Sequence, residues 1–502
     1  MSRLLLLATA LFSSMLRSFA LISRGLSIRT RSLQKGAARN VRRTGPSSLR
    51  AFDGEDDGGE IAEENQPFRK KSKFVDKPFA YHEVLELTID DVTNTGVGVG
   101  RVSLPSVGTD EAQQKSWVVM VPLVLPGETI KARIFRNHAT YSEADLVEVL
   151  TKSPDRVQPQ CAYFEICGGC QYQMMSVPAQ RRWKRAQVDS LMQRLGGVDV
   201  GSTPELTVNE VIGTDHTYGY RSKITPHYNA PHKPEDLKVG FQQRGTRIVI
   251  DVDRCSIATD AINVEYTKAR STIQAAVQQK LPKKGATLLF REGEDGHVET
   301  DFRKNMVEIV KGVRFTFKAG EFFQNNAHVL PLLVDHVLSQ LQRPGDESFT
   351  NLIDAYCGSG LFSLCAAKKF SAVFGVEVSE LAVAAAQANA VANGITNAQF
   401  LCGSSEAIFS RVAHLDRRKT AMIIDPPRKG CDRVFLSQLF AFSPQRVVYV
   451  SCDPSTQARD AKIMVEEGGY RILDITPVDL FPQTRHIESV VTFEKIRGEE
   501  RE

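Results

Sequence analysis

Apolar and polar residues begin to alternate at Glu83, in Val84-Leu85-Glu86-Leu87-Thr88-Ile89. A period of two predicts a half-buried strand. Thr95-Gly96-Val97-Gly98-Val99-Gly100-Arg101-Val102 continues it, with glycine at every second position permitting bends and close backbone approach. More strands are predicted at 117–121 and 129–134. Short strands separated by turn signals predict a small barrel of the oligonucleotide-binding kind, with a ligand-free structural β domain as the alternative. From Tyr218 to Ile250 the alternation resumes. A helix is predicted over 260–280 and strands over 287–291 and 306–310, so the middle of the chain reads as a mostly antiparallel unit.

The pattern changes at Ser348. Leu352-Ile353-Asp354-Ala355-Tyr356 is a predicted strand, Cys357-Gly358-Ser359-Gly360 a glycine turn, and 361–370 a helix. A strand over 372–376 ends at Glu377, an alanine-rich helix covers 379–393, and strands follow near 398–401 and 421–424. Strands alternating with helices predict an α/β fold with a parallel, doubly wound, Rossmann-like sheet. Ahead of this region a helix is predicted over 327–341, with Asn326 as its N-cap.

Val447-Val448-Tyr449-Val450-Ser451-Cys452-Asp453-Pro454 is the most informative stretch. Four apolar residues predict a buried strand, and Pro454 is expected to stop regular structure. Cys452 is thereby placed at the carboxyl end of a strand, where open α/β sheets bind ligands. A thiol there can be a nucleophile or simply a small core residue. Asp425-Pro426-Pro427 ends another apolar run, Met422-Ile423-Ile424. Its two prolines fix the backbone and direct the acid towards the same cleft. Near the end, Phe481-Pro482-Gln483-Thr484-Arg485-His486-Ile487-Glu488 leads into a final strand. Glu488 shares a face with His486 and is a candidate general base or a surface charge.

The glycine turn lets a ligand approach the backbone, and Glu377, some twenty residues on, can hold ribose hydroxyls. Dinucleotide and S-adenosylmethionine sites both use this logic. The turn lacks the third glycine of the dinucleotide fingerprint, which weakens the nicotinamide alternative.

Composition narrows the setting. The chain has 502 residues, enough for more than one core, and a net charge of +4, too mild to establish a nucleic-acid partner. Its nine cysteines do not follow the dense spacing of a secreted disulfide scaffold. Three cluster in Cys161-Ala162-Tyr163-Phe164-Glu165-Ile166-Cys167-Gly168-Gly169-Cys170, and Cys255 is the best fourth ligand. Four-thiolate sites serve zinc or iron–sulfur clusters, and spacing does not choose between them. Arg181-Arg182-Trp183-Lys184-Arg185, on a predicted helix, could meet phosphates and stack a base, or be a solvated face.

The amino terminus combines an apolar core, 4–16, with an Arg- and Ser-rich segment, and the first acid of the chain is Asp53. That composition suits an organellar address, plastid first and mitochondrion second. Residues 51–78 are polar and charged and read as a disordered linker. No other stretch is long enough to span a membrane.

Taken together, these motifs resemble the RNA uracil-5-methyltransferases over residues 80–495. The resemblance rests on Phe322-Phe323-Gln324, Asp354 to Gly360, Asp425-Pro426-Pro427-Arg428-Lys429-Gly430, Ser451 to Pro454 and His486-Ile487-Glu488. The cysteine cluster resembles the iron–sulfur subgroup, typified by the bacterial 23S rRNA enzyme. The resemblance implies a [4Fe-4S] cluster on Cys161, Cys167, Cys170 and Cys255, and S-adenosylmethionine as methyl donor. It implies Cys452 as nucleophile towards uracil carbon 6 and Glu488 as the base that removes the carbon 5 proton. It also implies Gln324 and Asp425 at donor or base, Tyr356 near the adenine and Glu377 on the ribose. Leu361 departs from the polar residue often found after the glycine turn, so a donor contact there would be through backbone. The implied domains are a targeting peptide (1–50), the linker (51–78), an RNA-binding TRAM barrel (79–152), a cluster-bearing central domain (153–320), a methyltransferase domain (321–495) and a charged tail (496–502). The expected substrate is a uridine in a single-stranded RNA loop, ribosomal RNA ahead of transfer RNA, and the expected state a monomer without membrane attachment. A catalytically silent RNA-binding or assembly protein on the same fold is the alternative.

Overall fold

A computed structural model describes residues 75, 77–104, 115–198, 206–345, 348–403 and 408–496. The expected targeting peptide, nearly all of the linker and most of the tail lie outside these residues.

The amino-terminal alternation folds into a closed barrel of β1 (Val84–Val92), β2 (Val97–Leu104), β3 (Lys115–Pro122), β4 (Thr129–Asn137) and β5 (Tyr141–Thr151), in the order β1-β2-β3-β5-β4. Period-two patterning sends Leu87, Ile89, Val119, Val121, Ile130, Ala132 and Ile134 to one shared interior. The β2 glycines answer to space: a Cβ on Gly98 would sit 2.2 Å from the Val124 side chain, and one on Gly100 2.5 Å from Leu87. Arg156, just beyond β5, fastens the barrel to the middle of the chain by donating to Glu128 Oε1 at 2.5 Å and Oε2 at 2.7 Å.

The middle holds α1 (Val177–Arg194), then β6 (Lys223–Ile224), β7 (His227–Tyr228), β8 (Val239–Gln242), β9 (Val249–Asp251) and α2 (Asp260–Gln279). It continues with β10 (Ala286–Thr287), β11 (Phe290–Glu292), β12 (Val298–Glu299), β13 (Asn305–Val310) and β14 (Val313–Lys318). All their pairings are antiparallel, in the orders β10-β7-β8-β9, β12-β11-β6 and β13-β14. α2 begins where Thr259 Oγ1 accepts the Ile262 N–H.

The carboxyl-terminal part opens with α3 (Leu330–Leu341), then β15 (Asn351–Ala355), α4 (Leu361–Ala366), β16 (Ala372–Glu377), α5 (Glu380–Ala392) and β17 (Ala398–Cys402). It closes with α6 (Ile408–Val412), β18 (Thr420–Ile424), α7 (Arg433–Phe442), β19 (Arg446–Ser451), α8 (Pro454–Glu466), β20 (Tyr470–Val478) and β21 (Glu488–Lys495). The sheet order is β17-β16-β15-β18-β19-β21-β20. The first five strands are parallel; β21 runs antiparallel between β19 and β20, so the sheet is mixed rather than purely parallel. Successive residues alternate faces: Leu352, Val373 and Val448 join one core, Ile353, Phe374 and Tyr449 the other. Val188 and Met192 of α1 belong to the second core, so the middle segment covers part of the sheet.

Two local expectations change. α3 starts at Leu330, three residues late, because Asn326 Oδ1 accepts from the His328 and Val329 N–H groups in a turn ahead of the helix. Pro454 ends the strand segment but opens α8, where a first-turn proline forfeits no needed N–H. Asp453 caps that helix, accepting from the Ser455 and Thr456 N–H groups.

Candidate active site

β15, β18 and β19 end in step, with Ala355 paired to Ile424 and Ile424 to Tyr449. The residues just beyond them therefore gather at one sheet edge: Tyr356, Asp425 and, after the longer β19, Cys452. β21 runs the other way and starts here. Its Ser489 pairs with Ser451, which places Glu488 one step on, beside Cys452. Glu488 is only 5% exposed, so it is no surface charge.

Acids crowd this edge. Burial pushes the Glu488 carboxyl up to about 8, with repulsion from Asp425 adding to it and Arg428 and Lys184 opposing. Burial pushes Asp425 up to about 7, aided by Asp354. Asp354 also rises to about 7 through burial, despite accepting the Ser363 N–H at 2.9 Å and Oγ at 2.5 Å. The Cys452 thiol is pushed up to about 12 by burial and then by Glu488 and Asp425, while Arg428 acts to lower it through charge and a hydrogen bond. Arg428 is thus a site residue to which the sequence pattern assigns no role; its place in Asp-Pro-Pro-Arg is the available signal.

Next to this edge lies the glycine turn. Tyr356 has a φ of 65° and tilts against Phe435 at a centroid distance of 5.6 Å. Gly358 (φ 53°) would direct a Cβ into open space, leaving room against the backbone. Glu377 accepts the Gly358 N–H at 3.2 Å and the Ser379 N–H at 2.9 Å, so it is held at the turn. Leu361 opens α4 directly after Gly360.

Gln324 lies on the loop between β14 and α3. Before it, Phe323 is buried and stacks on Phe317 at 4.4 Å; Phe322 is 65% exposed. After it, Asn326 is fully buried and donates to Leu480 O at 2.8 Å.

The basic run of α1 divides between the surface and the interior. Arg182 pairs with Asp155, Arg185 with Glu210, and Lys184 is fully buried against Asp479 at 2.6 Å. Gln180 and Gln483 exchange hydrogen bonds at 2.9 Å in both directions. Lys184 and Gln180 thus hold the loop before Glu488, while Arg182 and Arg185 form pairs at the surface. Lys184 carries no usable hydropathy signal, because a buried lysine reads like any other. Burial, with Arg485 and other cations, lowers His486 to about 4, so its imidazole is neutral at physiological pH.

Cys161, Cys170 and Cys255 belong to one apolar cluster with Phe164, Met174 and Met175, and Cys167 lies within electrostatic reach of Cys161 and Cys255. All nine cysteines are free of disulfides. Burial raises the Cys170 thiol to about 12, and the other three thiols add to it. Among the described residues, no three His, Cys, Asp or Glu side chains converge as ligands of a single metal ion. No described helix is long and apolar enough to cross a membrane.

Comparisons with known proteins place the chain in a family. The family model described as tRNA (Uracil-5-)-methyltransferase matches residues 265–496. The tRNA (uracil(54)-C(5))-methyltransferase of Schizosaccharomyces pombe is 38% identical over 96% of this chain and 89% of its own length. The Saccharomyces cerevisiae protein of the same name is 34% identical over 83% of this chain and 74% of its own. The crystal structure of Pyrococcus abyssi tRNA (uracil-54, C5)-methyltransferase with S-adenosyl-L-homocysteine superimposes with a TM-score of 0.60, at 22% identity, over 82% of this chain and all of that one. The fold is a mixed α/β methyltransferase fold with a five-stranded barrel.

The molecule is therefore an S-adenosylmethionine-dependent RNA methyltransferase that acts at carbon 5 of uracil. Within that class, the chain belongs to the tRNA (uracil-5-)-methyltransferase family.

Proposed function

We propose that the chain methylates carbon 5 of a uridine in transfer RNA through a covalent adduct on Cys452. The placement of Glu488 beside Cys452, with Asp425 at the same edge, carries this reading. Both yeast relatives are named for position 54 of transfer RNA, which reverses the sequence-based order of ribosomal over transfer RNA.

The chemistry rests on the groups present. Uracil carbon 5 is a poor nucleophile. The Cys452 thiol gives its proton to solvent, favoured by Arg428 and by the cationic sulfonium of the donor. The thiolate bonds to carbon 6, and the electrons displaced into the ring form an enolate. Carbon 5 then takes the methyl group, and S-adenosylhomocysteine departs. The Glu488 carboxylate removes the carbon 5 proton, the carbon–sulfur bond breaks, and thiolate returns. Asp425 faces the donor or base with Gln324, Tyr356 packs near the adenine, and Glu377 holds the ribose. The fit is supported by the open approach at Gly358 and by the raised carboxyls of Asp425 and Asp354, which a sulfonium would help to ionise. The uridine must leave its stack, at roughly a few kcal/mol, and the barrel serves as a TRAM-type RNA contact.

We also infer that Cys161, Cys167, Cys170 and Cys255 hold a [4Fe-4S] cluster. Three of the thiols in one apolar cluster, with Cys167 in electrostatic reach of them, support this. A four-iron cluster sets its ligand sulfurs wider apart than one ion does. Iron and sulfide analysis of anaerobically purified protein tests it; stoichiometric zinc would replace the assignment. The acid-free leader supports organellar import, plastid before mitochondrion, testable with a fluorescent fusion of residues 1–78.

Trapping tests the mechanism. Wild type, S-adenosylmethionine and 5-fluorouridine-substituted tRNA should give a denaturation-resistant protein–RNA band that Cys452→Ala abolishes. A band surviving in Cys452→Ala would assign the nucleophile elsewhere. Adduct on ribosomal RNA but not tRNA would restore the first substrate order.

A further inference from the structure

Arg291 on β11 stands directly opposite Lys223 on β6 in an antiparallel pair. Like charges in cross-strand positions repel. Both side chains nevertheless end on the backbone of one loop. Arg291 donates to Glu321 O at 2.8 Å and Phe323 O at 3.2 Å. Lys223 Nζ donates to Gly320 O at 3.2 Å and Glu321 O at 3.4 Å. Carbonyl oxygens of one loop thus receive both cations.

Arg291 is fully buried, and its guanidinium lies 4.5 Å from the Phe317 ring centroid. Phe317 stacks in turn on Phe323. Among the described residues no carboxylate comes within ion-pair distance of Arg291; Glu308 acts on it from further off. Burying a guanidinium without a counter-ion is unfavourable, and an apolar side chain would fill the same volume without that penalty. The charge is therefore matched to the loop it holds. Phe323, whose carbonyl it takes, directly precedes Gln324. On the far side, buried Asn326 is tied to Leu480 O. Gln324 sits between two anchored points on a loop that is otherwise irregular.

We propose that Arg291, assisted by Lys223, is a positioning residue that fixes the backbone of loop 319–323 and so sets Gln324 for methyl transfer. This rests on the proposed reading in which Gln324 contacts the donor or the uracil.

The test is a double-mutant cycle in the full-length protein with unmodified tRNA transcript. Gln324→Ala, Arg291→Met and their combination are compared by kcat and by KM for RNA and for S-adenosylmethionine. Arg291→Lys, which keeps the charge and one donor group, guards against a variant that fails to fold. Misplacing a contact by about 1 Å can cost roughly 100-fold in rate, so Arg291→Met should lower kcat by about tenfold to a hundredfold. The double variant should be no worse than Gln324→Ala, and Arg291→Lys should recover part of kcat. Thermal unfolding sets the assay temperature below every variant's transition. Multiplicative losses in the double variant, or a lowered melting temperature with wild-type kcat and KM, would overturn the positioning role and leave the reading of Gln324 intact. A Gln324→Ala variant with wild-type kcat and KM would instead overturn that reading, and the positioning role with it.

Discussion

Lys184 Nζ lies 2.6 Å from Asp479 Oδ1, and both side chains are sealed from solvent. Lys184 also donates to Phe481 O at 3.2 Å, so one ammonium joins α1 to the segment that leads into Glu488. Removing Asp479 leaves the Lys184 ammonium buried without its partner, at about 3–5 kcal/mol, whereas removing Lys184 still leaves Arg181 3.6 Å from the acid. Asp479→Leu should therefore lose about that much stability in urea unfolding, whereas Lys184→Met with Asp479→Leu should recover most of it. A loss under about 1 kcal/mol would mean that water reaches the pair.

The acid cluster sets opposite pH trends for stability and activity. Asp354 and Asp425 near 7 and Glu488 near 8 all lie above their unfolded values of roughly 4. The folded state thus binds more protons between these limits, and stability falls as pH rises through that window. Unfolding free energy of the ligand-free protein should drop between about pH 5.5 and about pH 8.5, and Glu488→Gln should flatten the drop. As a base, Glu488 acts only when ionised, so kcat/KM should climb with pH through about 8, and the raised Cys452 thiol should keep it climbing beyond that point. A flat activity profile across that range would remove Glu488 from the role.

Phe322 carries a large apolar ring into solvent beside Gln324. Stacking of a base on an aromatic ring contributes roughly 1–3 kcal/mol. Phe322→Ala should raise KM for tRNA by about tenfold or more and leave KM for S-adenosylmethionine and the melting temperature unchanged. Equal rises in both KM values would point to a disturbed loop instead.

The cysteine segment and the catalytic loop share a backbone joint. Gln171 and Tyr172, directly after Cys170, both donate their N–H groups to Gln483 O at 3.0 Å, and Gln171 Oε1 accepts from the Arg485 N–H at 3.1 Å. Cys170→Ala, or removal of the proposed cluster by a chelator, should speed hydrogen exchange in 479–485 while amides of the barrel core, such as Val119 and Val121, keep their protection. Unchanged exchange in that loop would uncouple the two.

Much of the fold is legible in the sequence because periodicity survives packing. The alternation of 84–102 and the apolar runs ending at Asp354, Glu377, Asp425 and Cys452 each mark an element that the structure contains. β5 escapes the pattern, because Tyr141 to Thr151 interleaves three acids with its apolar positions and its outer face is exposed. The placement of β21 between β19 and β20 is also invisible: direction within a sheet is set by crossover geometry, not by residue pattern. Of the candidate site, Cys452, Asp425, Tyr356 and Glu488 are legible as strand-end residues. Lys184, Arg291 and Arg428 are not, since a cation's partners lie far away in sequence, 295 residues on in the case of Asp479.

β21 has one more consequence. It is the last strand in chain order, yet it fills an interior slot of the sheet and brings Glu488 to Cys452. During synthesis the thiol and the four glycine-turn residues emerge from the ribosome before the carboxylate does. Until residues 488–495 dock, β19 has an open flank and Glu488 is not yet beside Cys452. In the proposed reading, a nascent chain thus carries its nucleophile before the carboxylate that completes the reaction.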